Sequence, residues 1–240
     1  MEWSLKKIIS LALAFIMVLV LIAVSPVMGI QSISINGNYR LTSAQILSSS
    51  GLSEGANIFA ANSVAAKENL YSNPYIRQVD IVKSYHNRSI TINITERQLS
   101  GYVRFRDNTY LFIDRDGMVL EARTSFTERH PVIEGLRFSE FSIGSYLDVE
   151  NYGALENMLI LSELFEEHNI HQDIIRIDLS REDEIHFYYG NINIQMGSNR
   201  DLDLKIRKMM AILPELEAYK HIGGFLHMQD PLMPRFSLLS

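Results

Sequence analysis

The stretch from Ile8 to Met28, IISLALAFIMVLVLIAVSPVM, carries no charged side chain. At ~1.5 Å rise per residue it is long enough to span the ~30 Å hydrocarbon core of a bilayer. A backbone amide in hydrocarbon has no water to bond, so a segment placed there must be an α-helix. The hydroxyls of Ser10 and Ser25 can bond back to helix carbonyls. Lys6 and Lys7 stand before this stretch, and the next charged residue after it is Arg40. That asymmetry predicts a cytoplasmic N-terminus and an exported remainder, with Trp3 available as an interfacial anchor. The alternative is a cleaved secretory signal. The apolar run exceeds the usual ~7–15 residues of a signal core, and Pro26 would follow the Ala23-x-Ser25 site. A cut after Gly29 stays open. Either reading places the remainder outside the membrane.

Several function classes are excluded by composition. The chain has no Cys, so an exported domain must be held by packing, and nucleophilic catalysis by Cys is impossible. The formal net charge is −6 with no basic stripe, which argues against nucleic acid and against anionic headgroups as the main partner. Apolar residues make up 47% of the chain, enough to build a real core rather than a disordered tail.

Beyond the apolar stretch, Ile30 to Ile35 alternates as a strand and Asn36-Gly37-Asn38 turns the chain. Thr42 and Gln45 have capping-box spacing for a short helix, with Gly51 at its left-handed stop. Asn62 or Ser63 caps a second helix through Val64, Leu70 and Tyr71, which Pro74 prevents from extending. Two strands follow, Ile76–Lys83 with Val79 and Ile81 inward, and Ser89–Glu96 with Ile90, Ile92 and Ile94 on one buried side. Tyr85-His86-Asn87-Arg88 joins them. The unit reads β-α-α-β-β, and such a sheet leaves a strand edge open to an added strand.

The segments SISINGNYRLTSAQIL, GLSEGANIF, ENLYSNPYIRQVDIVKSYHNRSITINITERQ and YLFIDRDGMVL resemble the extracytoplasmic region of the FtsQ/DivIB cell-division proteins. The resemblance implies a POTRA domain at residues 30–98. One departure is His86, where the family commonly has Pro.

After Arg97 the pattern turns mainly to strands: Tyr102–Phe105 and Tyr110–Ile113 about a turn at Asp107-Asn108, then Met118–Leu120 after the Asp114–Gly117 turn, then Pro131–Ile133 before Gly135. A helix over Val149–Glu167 presents Leu155, Met158, Leu159, Ser162 and Phe165 along one stripe. Ile174–Leu179, Ile185–Tyr189 and Ile192–Met196 are strands, and a helix over Asp201–Leu216 turns Leu202, Ile206, Met209, Met210 and Leu213 inward. Pro214 is expected to end or kink it. Gly223-Gly224 opens a last strand, Phe225–Met228. The expected organisation is a cytoplasmic tail (1–7), a transmembrane helix (8–28), the POTRA domain (30–98), a second mixed domain with a largely antiparallel sheet (99–229) and an extended tail (230–240), α+β overall.

Catalytic signatures are scarce. No G-x-S-x-G, H-E-x-x-H or Walker A motif is present. Asp114-x-Asp116-Gly117 lacks the later ligands of a calcium loop and reads as a hairpin turn. Glu166, Glu167, His168 and His171 read as a solvated helix end before they read as metal ligands. Carboxylates for glycan hydrolysis fall in turns and on polar faces. The sequons at Asn87 and Asn93 read as chance, and Met158, Met209 and Met210 as core filling.

The resemblance therefore implies a non-enzymatic division scaffold without cofactors. It would sit at the septum with no nucleic-acid or small-molecule ligand, binding FtsB/DivIC and FtsL and, beyond them, FtsW and a septal transpeptidase. Strand addition is the expected mechanism. By position, the family's last strand corresponds to Gly224, Phe225, Leu226, His227 and Met228, which equally read as a terminal core strand. A membrane-tethered wall-active enzyme and a POTRA-type transport or assembly receptor are the competing classes.

Overall fold

The structure is a computed structural model that describes residues 5–125, 130–170 and 173–239. Helix α1 spans Leu5–Val24, and a 3-10 turn, Pro26–Met28, follows it. Among the described residues no helix is long and apolar enough to cross a membrane. Trp3 lies outside the described residues. The chain divides into two units, Met1–Arg97 and Gln98–Ser240.

Local chemistry shapes the first unit. The Thr42 hydroxyl accepts the Gln45 N–H at 3.2 Å while Gln45 Oε1 accepts the Thr42 N–H at 2.9 Å. This reciprocal box starts α2 (Ser43–Ser50), and Gly51 ends it at φ 68°. Asn62, rather than Ser63, caps α3 (Ser63–Tyr71). Its Oδ1 takes both the Val64 and Ala65 N–H groups at 3.1 Å. Strand β1 (Ser32–Asn36) begins two residues later than the alternation suggests. Ile30 instead exchanges backbone hydrogen bonds with Ala56 and Gly55.

The sheet order is β1-β3-β2, with β2 at Ile76–Ser84 and β3 at Ser89–Glu96. Central β3 runs parallel to β1 and antiparallel to β2. Ile90, Ile92 and Ile94 of β3 are buried against Ile46, Ile58, Ala66 and Leu70. Gly37 has φ +81°, and a Cβ there would stand 2.1 Å from the Ile94 carbonyl oxygen. The turn after β1 therefore requires glycine.

The second unit contains a nine-stranded sheet. Its strands are β4 (Leu99–Arg104), β5 (Tyr110–Asp114), β6 (Val119–Arg123), β7 (Val132–Glu134), β8 (Arg176–Asp178), β9 (Ile185–Tyr189), β10 (Ile192–Gly197), β11 (Gly224–His227) and β12 (Arg235–Leu238). The order is β12-β11-β10-β9-β8-β7-β4-β5-β6. As expected the sheet is largely antiparallel, but the β4–β7, β7–β8 and β10–β11 pairs are parallel. Parallel neighbours need a crossover. Helix α4 (Tyr152–His168) supplies it between β7 and β8, and α5 (Leu202–Leu216) between β10 and β11. Both helices bury one face against Val103, Ile133, Ile177, Phe187, Ile194 and Leu226.

Three expectations need correction here. The buried face of α4 is Ala154, Asn157, Met158, Leu161, Ser162 and Phe165, with Leu155 and Leu159 at its margin. Helix α5 continues through Pro214 to Leu216. Buried Leu213 and Leu216, on either side of the proline, hold that last turn against the core. Finally, residues 230–240 are more than an extended tail, because β12 pairs along the full length of β11.

Candidate functional site

Of the stretch Gly224–Met228, Gly224–His227 form β11, which lies inside the sheet. Gly224 and Phe225 sit opposite Ile192 and Asn193 of β10 on one side, and opposite Leu238 and Ser237 of β12 on the other. Period two divides its side chains. Leu226 and Met228 are fully buried in the core, while Phe225 and His227 lie half-buried with ring centroids 6.5 Å apart. Gly224 permits β12 to approach: a Cβ there would stand 2.6 Å from the Ser237 carbonyl oxygen and 2.8 Å from the Phe236 ring.

The link from β11 to β12 turns on Asp230. Its Oδ1 accepts the Leu232 N–H at 2.9 Å and its carbonyl accepts the Met233 N–H at 3.2 Å. In β12, Phe236 packs on Tyr219 at 5.4 Å, whereas Arg235, Ser237 and Leu238 are exposed. Ile222, Leu232, Met233 and Leu239 are also exposed around this corner. A signal for β12 was present in the sequence. Arg235-Phe236-Ser237-Leu238 alternates polar and apolar after an Asp-Pro turn, and the flanking prolines obscured it.

The four sheet edges differ. The Ile33 N–H of β1 donates to the Glu54 carboxylate at 3.2 Å, and the Val79 N–H of β2 to the Tyr71 hydroxyl at 3.1 Å. Along β6, Val119 exchanges hydrogen bonds with Ser145 and Gly144. Among the described residues none bonds the outer edge of β12, which remains an open ladder of amides and carbonyls.

The other candidates are committed elsewhere. Asp114 Oδ1 accepts the Asp116 and Met118 N–H groups at 3.0 and 2.8 Å and so closes the hairpin. Glu166 pairs with Arg115 at 3.0 Å, which holds the guanidinium above its ordinary pKa, and His168 Nε2 lies 2.9 Å from Asp203. His171 lies outside the described residues. Among the described residues no three His, Asp or Glu side chains gather around a metal-sized space. On the sheet face away from the helices, a concavity of about 530 Å³ is lined by Arg104, Tyr110, Glu134, Arg176 and Tyr188. Its carboxylate, Glu134, is held by Arg176 at 3.3 Å and Arg104 at 3.9 Å, and among the described residues no second acid lines the concavity.

Residues 28–97 match the POTRA domain, FtsQ-type, and residues 101–227 match the cell division protein FtsQ/DivIB C-terminal domain. The chain belongs to the FtsQ/DivIB family. Cell division protein DivIB of Clostridium botulinum (strain Hall) is 30% identical over 223 residues, covering 92% of this chain and 86% of the relative. DivIB of Clostridium tetani is 28% identical over 193 residues, 80% of this chain and 72% of the relative. Cell division protein FtsQ of Corynebacterium glutamicum is 28% identical over 117 residues, 47% of this chain and 52% of the relative. The chain is thus a cell-division protein with an FtsQ-type POTRA domain followed by an FtsQ/DivIB C-terminal domain. The FtsQ/DivIB match stops at His227, so β12 lies beyond it.

Proposed function

We propose that this FtsQ/DivIB protein is a membrane-tethered scaffold of the division septum that performs no reaction and captures a partner segment on the outer edge of β12. The observation that carries the reading is that edge. It is open, whereas β1, β2 and β6 each have edge groups already bonded. An extended segment can satisfy its own backbone there, and the exposed Leu238 and Leu239 beside it offer apolar selectivity. Gly224–Met228 act as the stretch on which β12 is built, one strand in from the added segment. The partner is the FtsB/DivIC–FtsL pair, with FtsW and the septal transpeptidase recruited in turn. The pairing of Glu134 with Arg176 and Arg104 favours this reading over a wall-active enzyme, since glycan hydrolysis needs a second carboxylate.

The tether is α1 together with the residues after it. The described helix alone does not meet the requirement for a span, and the tether reading rests on the charge-free sequence that begins at Ile8. Ile8, Leu11, Leu13, Phe15, Met17 and Leu21 are exposed along α1, a surface that lipid covers far better than water. Photo-crosslinkers at Ser237 and Leu238 should capture the FtsB/DivIC-type partner in dividing cells, and one at Ser34 of β1 should not. Capture from Ser34 alone would refute the assignment of the edge.

A further inference from the structure

We infer that the first unit has a lipid-binding foot, formed by Phe59 and Tyr85, that rests on the membrane beside the exit of α1. This rests on the tether reading above. Phe59 and Tyr85 stack with ring centroids 5.1 Å apart and planes 20° apart, yet each is 53% exposed. Two aromatic rings covering each other while more than half open to water make a poor core and a good interfacial contact. Tyr in particular pairs an apolar body with a polar tip suited to the headgroup level.

The position of the pair follows from backbone chemistry. Asn57 Nδ2 donates to the Ser25 carbonyl at 3.3 Å, and the Ile58 N–H donates to the Met28 carbonyl at 3.0 Å. The Arg88 guanidinium donates to the Val27 carbonyl. The segment that leaves α1 is therefore bonded to both loops that carry the pair, 57–59 and 85–88. Val27, in that same segment, is exposed and adds apolar surface there. The Lys83 ammonium, which holds the Ile58 and Ala61 carbonyls, and Arg88 put positive charge at the same end, where anionic headgroups would attract it. The bilayer is thus the occupant that continuity with α1 and charge both favour. The foot would fix the unit's tilt on the membrane and keep it from swinging about residues 25–29.

The opposite end supplies a control. Tyr39 is 93% exposed, and its N–H is bonded to Glu96, the last residue of β3, whereas Arg88 immediately precedes the first. At ~3.4 Å per residue those ends stand roughly 25 Å apart. The chain's one tryptophan is Trp3, so full-length protein carrying Trp3→Phe with either Phe59→Trp or Tyr39→Trp reports one site at a time. Each would be reconstituted in phosphatidylglycerol-containing liposomes, floated, and quenched with lipids brominated near the headgroup. Flotation with blue-shifted, quenched emission from Phe59→Trp and water-like emission from Tyr39→Trp is expected. Flotation with the same water-like emission from both overturns the foot and leaves the tether standing. Failure to float overturns the tether and the foot with it.

Discussion

At the scale of single residues, positions that look equivalent in the sequence separate once paired. Phe225 and Leu226 are neighbours of similar hydrophobicity, but Leu226 is in the core and Phe225 lies on the open face. Leu226→Lys should therefore unfold the second unit by burying a charge, whereas Phe225→Lys should leave its circular dichroism and melting cooperativity intact. Gly37→Ala should destabilise the first unit by more than about 1 kcal/mol, because the positive φ and the Ile94 carbonyl both oppose a Cβ. Urea unfolding would measure it, and an unchanged midpoint would contradict the close approach. For Asp178, burial alone would raise the carboxyl pKa. Hydrogen bonds from Ser180, with the nearby His186 and Arg176 charges, outweigh burial and hold it below the ordinary value. A depressed native pKa contributes stability above the unfolded value and loses it as pH falls through the native one. Asp178→Asn should lower the melting temperature at neutral pH, with the difference shrinking toward zero in acid below the native pKa. A difference independent of pH would remove electrostatics as its cause. Lys205 was legible from no pattern: it lies on the buried face of α5, its amine donates to the Ser198 carbonyl at 2.9 Å, and burial lowers its pKa.

At the scale of elements, capping and periodicity were sound guides wherever the deciding contacts were local. The capping box of α2, the glycine stop at Gly51 and the β3 isoleucines follow from neighbours a few residues away. Ile92→Asp puts a carboxylate at the centre of the first sheet, where Ile92 is 0% exposed. The several kcal/mol this costs is comparable to the whole stability of a domain this small. The first unit should lose its cooperative transition while the second keeps its own, as two-step thermal unfolding would report. Local rules failed where a distant partner decided. Pro214 should break α5 by its missing N–H, yet burial of Leu213 and Leu216 holds the turn. The segment Arg235–Leu238 is too short and too proline-flanked to declare itself, and becomes a strand because β11 offers it an edge.

At the scale of the whole molecule, each unit has a core drawn from its own residues, one centred on β3 and the other on the sheet that β4 to β12 build. Removing β12 by truncation after Gln229 should leave the first unit's transition unchanged and abolish partner capture; persistent capture would move the binding edge elsewhere. The sequence by itself determined the charge-free stretch, the β-α-α-β-β order of the first unit and the family resemblance. Those depend on composition, on spacing within a helical turn and on the two-residue period of a strand. Only the tertiary structure decided which strands are parallel, which end of the sheet stays unpaired and that Gly224–His227 lie inside the sheet. Strand neighbours are chosen by hydrogen bonds between segments far apart in the chain, and no local pattern encodes that choice.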